Sequence, residues 1–255
     1  DATRSLELVL TPNPEAALRL ARELDTQNRE RQRIDREIST EVIESVRPRF
    51  RPEADWVIVE GNSDWHIGVV GIVASRVSRE FYRPTVILGG DGPDWRGSGR
   101  SVTGFDLAAA LRGCDDLLVR HGGHAMAAGL SLCPTNLEFL RERLNGLARQ
   151  SLQPDDLVPV LSVDAEIRLD QWTPALAAEL EQLSPFGQGN PALHLMLTGV
   201  SLSRPARAIG RGGDHVRLEL GDGAARAEVL WWGGAQEPKP EGPFDAVVRV
   251  ARDRP

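Results

Sequence analysis

The chain has 255 residues, enough for one large domain or two of ordinary size. Its hydrophobic fraction of 41% and charged fraction of 26% are typical of a globular protein, and no apolar run reaches the ~18 residues of a membrane span. The net charge of −7 excludes a uniformly basic nucleic-acid-binding coat but not a local basic groove. Cys114 and Cys133 are too few and too far apart for a disulfide framework or a cysteine zinc site, and we interpret both as buried small residues.

The first segment is predicted to be a long helix over residues 15–47, ended by Pro48. Unbroken, it would be about 50 Å long, a length typical of a helix that connects two bodies. The alternative is a break at residues 26–28. Its apolar positions recur four residues apart, at Leu20, Leu24, Ile34, Ile38, Val42 and Val46.

The second segment, residues 51–150, alternates between strand and helix patterns, which favours a sheet with helices on its faces. Strands are predicted at 55–61, 83–90, 95–102 and 127–132, and helices at 67–82, 105–120 and 136–152.

The third segment begins with a strand-like run at 157–169 and a helix at 172–183, started by Thr173 and Pro174. After a loop at 184–191, short strands are separated by Gly-Asp-Gly and Gly-Gly turns, which predicts a small antiparallel barrel or sandwich. The last strand runs to the end of the sequence, so whether the barrel is complete stays open. These strands lie at 193–203, 206–210, 215–223, 225–234 and 244–251.

Two stretches of the second segment are candidate phosphate sites. His66 and Gly68 follow a strand and are predicted to open a helix, whose N-terminus would bind an anion; the alternative is a capped helix with a structural histidine. In WRGSGRS, residues 95–101, Gly97 and Gly99 are expected to let a ligand approach the backbone; the alternative is a glycine-rich bulge. Its hydrogen-bond donors to phosphate would be Ser98, Arg100 and Ser101.

A third candidate is RHGGHAMAAGL, residues 120–130, in which Gly122 and Gly123 permit a close approach of the backbone. His121 and His124, three residues apart, are expected on one side of a turn. A zinc site would need a third ligand, which the stretch does not supply, so contact of one histidine with phosphate or a base is favoured over metal. A purely structural turn is the remaining alternative.

The third segment carries a basic run from Arg204 to Arg217, with a local charge of +3, followed by Trp231 and Trp232. Basic residues beside aromatic ones suit single-stranded nucleic acid, and Arg204 and Arg207 are the candidate phosphate contacts. Adjacent residues of a strand point to opposite faces, so at most one tryptophan can stack on a base. The alternative is one core tryptophan, one at the rim and a solvated arginine face.

Together, WHIGVVGIVASR, GSGRS followed by FDLAAAL, GGHAMAAGL and SPFGQGNP occur in the order seen in the RecJ family of single-strand-specific 5′→3′ DNA exonucleases, which the chain resembles along nearly its whole length. The resemblance implies an α/β protein in three parts. These are a long connecting helix over 1–50, a DHH-associated (DHHA1) domain with a mixed sheet over 51–152, and a β-barrel OB-fold domain over 153–255.

The family's catalytic DHH domain binds two divalent ions, Mn²⁺ or Mg²⁺. This sequence has five histidines and no Asp-His-His triplet, so we expect no metal site and no catalytic residue in it, with His124 in a supporting role. The resemblance assigns DNA contacts to seven residues, and His121 is not among them. The residues it places near the substrate are His66, Ser98, Arg100, Ser101, Gly122, Gly123 and His124.

The function expected from the resemblance is the substrate-binding portion of a DNA-repair and recombination exonuclease, inactive by itself. It implies a monomeric, cytoplasmic bacterial protein that binds single-stranded DNA, with single-strand-binding protein and a helicase as further candidate partners. Neither a signal peptide nor a membrane partner is expected. Two alternatives are a small-oligonucleotide or cyclic-dinucleotide phosphodiesterase and a non-catalytic single-strand-binding module.

Overall fold

The computed structural model describes residues 2–250, which form two compact units that divide between Pro159 and Val160. The first unit begins with helices α1 (Ala2–Leu10) and α2 (Pro14–Val46). The Asn13 side chain caps α2 by accepting hydrogen bonds from the backbone N–H groups of Glu15 and Ala16. The helix is continuous, so the alternative break at residues 26–28 is wrong: Thr26 donates its hydroxyl proton to the Arg22 carbonyl within the helix.

A five-stranded sheet forms the centre of the first unit, in the order β1-β2-β3-β5-β4. The first two strands are parallel and the other neighbours antiparallel, which confirms the predicted mixed sheet. The parallel pair needs a crossover, which α3 supplies. The strands are β1 (Ile58–Asn62), β2 (Thr85–Gly89), β3 (Trp95–Arg100), β4 (Leu118–His124) and β5 (Ala127–Leu132), and the helices are α3 (Val70–Phe81), α4 (Leu107–Arg112) and α5 (Leu137–Ser151).

Two apolar cores cover the two faces of this sheet. On one face, α4 and α5 pack against β1, β2 and β5 through residues such as Leu107, Leu140 and Leu130. On the other face, α3 packs on β2 and β3 and is itself backed by α2, with Val73 and Ile87 fully buried. On that second side, β5 and β4 expose most of their surface.

The helix predicted over 105–120 is too long. It ends at Arg112, with Gly113 as its C-cap, and a short 3₁₀ turn leads into β4. Cys114, just beyond the helix, is fully buried, and this burial raises the pKa of its thiol to about 11, so the thiol stays protonated and acts as a small apolar residue. Cys133 is only partly buried, and its Sγ lies 3.1 Å from the Thr135 hydroxyl.

The second unit contains one helix and a six-stranded sheet of main order β10-β9-β7-β11, with β6 on β7 and β8 on β9. Within residues 160–250, β10 and β11 do not pair, so these strands do not close into the predicted barrel. The predicted loop at 184–191 is held together by the Asn190 side-chain amide, which donates to the carbonyls of Leu183 and Pro185. The elements are β6 (Ala165–Ile167), α6 (Pro174–Glu181), β7 (His194–Leu202), β8 (Arg207–Ile209), β9 (His215–Gly221), β10 (Arg226–Trp231) and β11 (Phe244–Arg249).

Candidate nucleic-acid interface

An exposed sheet surface in the first unit gathers several of the predicted site residues. We call it the open face: the side of β3, β5 and β4 that faces away from α4 and α5. Direct cross-strand neighbours share a face, so its residues lie in three rows. The rows are Arg100–Ala127–His124, Ser98–Gly129–Gly122 and Arg96–Ser131–Arg120.

The side chains of the open face are mostly either positively charged or small. Its central strand contributes only Ala127, Gly129 and Ser131, while the flanking strands contribute three arginines and His124. None of the nine residues is a carboxylate. A flat surface of small residues with guanidinium groups around it suits a phosphodiester backbone, which needs close approach and charge neutralisation.

Arg100 and Ser98 are joined by a hydrogen bond on this surface. Arg100 Nη1 donates to the Ser98 hydroxyl at 2.9 Å and to the Gly99 carbonyl at 2.8 Å. The other guanidinium N–H groups form no hydrogen bond within residues 2–250. Because the Ser98 oxygen accepts from Arg100, its own proton is free to donate to an anion.

Gly71 of α3 makes room for this pair. A Cβ atom at Gly71 would lie 3.2 Å from both Arg100 Nη2 and Ser98 Oγ. A glycine at this position therefore lets α3 pack close to the sheet where the helix borders the open face.

Gly97 and Gly99 do not serve the role expected of them. They point to the opposite side of β3, into the core under α4 and α5. A Cβ atom at Gly97 would lie 2.8 Å from Leu88, and one at Gly99 would lie 2.5 Å from Leu107. These glycines let the core pack tightly against the strand and do not bring a ligand to the backbone.

The strand predicted over 127–132 is confirmed as β5. Residues Leu118–His124 form strand β4, which the motif does not predict, and pair with β5 across a two-residue turn. That turn is anchored: the Ala125 carbonyl accepts from Leu107 N–H and the Met126 carbonyl from Ser101 N–H, both at 3.0 Å. His124 precedes the turn at the edge of the open face. It is exposed and has no hydrogen-bond partner among the described residues.

The two glycines of this strand have different roles. Gly123 has φ +147°, and a Cβ atom there would lie 2.4 Å from the Ala127 carbonyl oxygen, so the backbone itself requires glycine. At Gly122 an added Cβ would meet nothing within 4 Å, so internal packing does not explain this glycine.

His121 lies on the other side of β4 from His124, since strand residues three apart face opposite ways. The expectation that both histidines share one side is therefore wrong. His121 Nε2 lies 3.0 Å from Asp115 Oδ1, and only 17% of its side chain is exposed. It supports the 3₁₀ turn and takes no part in the open face.

Two further predicted residues have local roles. His66 does not open a helix: α3 begins four residues later, at Val70, and the exposed His66 ring accepts through Nδ1 a hydrogen bond from Gly68 N–H. Ser101 donates its hydroxyl proton to the Phe105 carbonyl at 2.7 Å, so that proton is not available to a phosphate.

Gly129 is a residue of the open face that the sequence interpretation missed. A Cβ atom there would meet only the Gly97 carbonyl oxygen, at 3.9 Å. The signal was the alternation in AAGLSL: Ala128, Leu130 and Leu132 are buried, while the intervening positions are all small. Small residues on one side of a strand indicate a surface kept clear.

In the second unit, the predicted basic run is partly neutralised. Arg204 pairs with Glu219 at 3.5 Å and Arg217 pairs with Glu228 at 3.5 Å, whereas Arg207 is exposed and forms no ion pair within residues 160–250. The structure separates the two tryptophans. Trp231 packs against the core, with Lys239 Nζ 5.4 Å from its ring centre, and Trp232 is 67% exposed, held edge-on by His215.

Within residues 2–250 no three His, Cys, Asp or Glu side chains converge in the way a metal ion needs, so the described residues do not fit a divalent-metal centre. No helix in the same range is both long and apolar enough to cross a membrane.

Two domain families define the class of this protein. Residues 54–150 match the DHHA1 domain, and residues 163–254 match the RecJ OB domain. The chain thus carries a DHHA1 domain followed by a RecJ OB domain, the two domains that the RecJ resemblance implies for this region. The expected family and fold class are therefore confirmed.

Relatives agree with this assignment. The single-stranded-DNA-specific exonuclease RecJ of Bacillus subtilis (strain 168) is 35% identical over 231 residues, which are 90% of this chain and 29% of the relative. That of Thermus thermophilus is 32% identical over 86% of this chain and 31% of the relative. The chain thus spans about a third of these curated relatives.

Solved structures give the same fold. The crystal structure of Thermus thermophilus RecJ in complex with Mn²⁺ matches 97% of this chain and 35% of its own, with a TM-score of 0.77 and 29% identity. The Mg²⁺ complex of the same protein matches 97% of this chain and 37% of its own, with a TM-score of 0.74 and 28% identity.

Proposed function

We propose that this chain is the substrate-binding portion of a RecJ-type 5′→3′ exonuclease that acts on single-stranded DNA in repair and recombination. The observation that carries the proposal is the open face, where Arg100 and His124 flank the small residue Ala127 and the next row holds Gly129 and Gly122. One strand of DNA would lie along these glycines with its phosphate between the two side chains.

The chemistry of the chain's own residues is positioning and charge neutralisation. Arg100 offers charge-assisted hydrogen bonds to phosphate oxygens, and Ser98 adds a neutral donor held in place by Arg100. His124 offers a third donor from the far side, on a turn fixed by two backbone hydrogen bonds. A strand held in this way presents its phosphodiester in one orientation, which lowers the entropy cost of hydrolysis.

Hydrolysis itself is assigned to a metal-binding DHH domain of the whole protein, with Mn²⁺ or Mg²⁺ as the ions. The Mn²⁺ and Mg²⁺ complexes of the Thermus protein support a metal-dependent enzyme. We therefore propose that residues 2–250 bind DNA and do not cleave it.

We keep the division into 1–50, 51–152 and 153–255 as a proposal, with Trp232 and Arg207 as the DNA contacts of the third part. The RecJ OB domain favours this function over a phosphodiesterase specific for small or cyclic nucleotides, which would not need an extended track. A monomeric, cytoplasmic bacterial protein that meets single-strand-binding protein and a helicase is the matching cellular proposal.

Fluorescence anisotropy with 5′-phosphorylated single strands and with a duplex of the same sequence tests this proposal. We expect salt-sensitive binding that prefers the single strand, and no cleavage in Mn²⁺. Arg100→Ala should weaken binding by about 10- to 150-fold, because a hydrogen bond to a charged group contributes roughly 1.5–3 kcal/mol. Arg112→Ala, on α4 behind the sheet, is the matched control. Equal affinity of wild type and Arg100→Ala, or cleavage by the chain alone, would contradict the proposal.

A further inference from the structure

We propose that Arg96 and Arg120 form a second phosphate-binding subsite on the open face, which takes an internal phosphodiester of the same DNA strand. This inference rests on the proposed function, and it concerns a row of residues to which the motifs assign no role.

The geometry places the two arginines around one small residue. Arg96 is the cross-strand neighbour of Ser131, and Ser131 is the neighbour of Arg120. With strands about 4.8 Å apart, the two arginine Cα atoms are separated by about 10 Å. All three residues line a groove of about 720 Å³, which also includes Ile67 and Pro93.

The charges of this groove favour a singly charged ligand. Arg96 and Arg120 form no ion pair within residues 2–250, so neither guanidinium group is held by a carboxylate. Asp91 and Asp94 also line the groove, and both are exposed. Their repulsion disfavours a terminal phosphate, which carries up to two negative charges, more than an internal phosphodiester, which carries one. Ile67 and Pro93 offer apolar surface to a sugar or base.

The spacing places the second subsite on the same strand as the first. Arg96 is four residues from Arg100 along β3, and Arg120 is four residues from His124 along β4, so the two rows are about 13 Å apart. The row between them holds Ser98 and two glycines, so no large side chain blocks the path. At 3.4 Å or more per nucleotide, this distance corresponds to roughly two to four nucleotides.

The experiment compares a ligand that fills one subsite with a ligand that reaches both. The 255-residue chain and its Arg96→Gln, Arg120→Gln and double variants are titrated with thymidine 5′-monophosphate and with a 5′-phosphorylated octathymidylate. Arg112→Gln, which makes the same change in charge on α4, is the control, and circular dichroism checks the fold of each variant.

For the double variant we expect about a tenfold loss of affinity for the octamer at low salt and no change for the monophosphate. The slope of log K against log salt for the octamer should become shallower by about 0.7 for each phosphate contact removed. Arg112→Gln should behave as the wild type with both ligands.

Three results would overturn the inference. If the double variant binds the octamer as well as the wild type does, while Arg100→Gln weakens both ligands, the second subsite is refuted and the proposed function stands. If the double variant loses the monophosphate and the octamer equally, the two arginines belong to the first subsite. If the wild type binds neither ligand, the proposed function fails, and this inference fails with it.

Discussion

His121 and His124 lie on opposite faces of strand β4, although only two glycines separate them in the sequence. His121 pairs with Asp115 beside α4, and His124 stands exposed at the edge of the open face. The Gly-Gly pair between them therefore belongs to a strand, and the two histidines cannot share a ligand. This relationship divides one motif into a half with a structural role and a half that we propose contacts DNA.

Substitution of each histidine should separate these halves. His124→Ala is expected to weaken binding of a 5′-phosphorylated single strand about tenfold, because a donor to phosphate is lost, while the fold is unchanged. His121→Ala should leave binding as in the wild type and lower the free energy of unfolding by at most about 1 kcal/mol, since its partner Asp115 is exposed. Anisotropy titrations and urea denaturation measure the two effects; a binding defect in His121→Ala larger than that in His124→Ala would reject the assignment.

Gly122 and Gly123, which lie between the two histidines, should also differ in the effect of substitution. Gly122→Val should block strand binding, because a branched side chain would stand in the clear path, while stability stays within about 0.5 kcal/mol of the wild type. Gly123→Ala should cost about 1–3 kcal/mol of stability, because its φ is positive and its Cβ would clash with the Ala127 carbonyl. Thermal denaturation and anisotropy distinguish them. Full binding by Gly122→Val would show that the DNA does not pass over this row.

The tryptophans of the second unit should also differ. Trp232→Ala is expected to lower single-strand affinity by about 1–3 kcal/mol, the contribution of one base stacked on an aromatic ring. Trp231→Ala should mainly destabilise the unit, because Trp231 packs against its core. Quenching of tryptophan fluorescence by oligothymidylate, present in Trp231→Phe and lost in Trp232→Phe, checks this; the reverse pattern would assign the platform to Trp231.

A fourth prediction concerns Asp35 of α2, which is 1% exposed and pairs with Arg76 of α3 at 2.8 Å. Arg76→Ala should lower the free energy of unfolding by about 2–3 kcal/mol, less than for a fully buried pair because Arg76 is partly exposed. Arg79→Ala on the same helix, at an exposed position, is the control. If urea denaturation gives the same stability for both variants, the pair does not hold α2 on α3.

Much of the fold could be predicted because hydrophobic periodicity survives in the well-packed elements. The helix α2 and the strands β2 and β5 follow their patterns closely, as each buries a regular set of side chains. Strand β4 was missed because its own residues, LVRHGGH, show neither the two-residue hydrophobic period of a strand nor the 3.6-residue period of a helix. Pairing with β5 stabilises it, and that partner is not visible from local sequence.

The candidate site could be predicted only in part, because local sequence does not show which face of a strand a residue occupies. The motifs led to Ser98, Arg100 and His124, which the structure does place on one surface. They could not show which side of β3 the glycines face, so Gly97 and Gly99 were assigned to a ligand when they serve the core. The face of a strand depends on what packs against each side, and only the assembled sheet decides this.

The most direct test of the central claim, that single-stranded DNA lies on the open face, is an NMR titration of the ¹⁵N-labelled chain with a 5′-phosphorylated oligothymidylate. The account predicts that the largest amide shifts fall at Ser98, Arg100, Gly122, His124 and Gly129, while His121 and the amides of α5 change little. Shifts confined to residues 160–250, or larger on the α5 side of the sheet than on the open face, would contradict it.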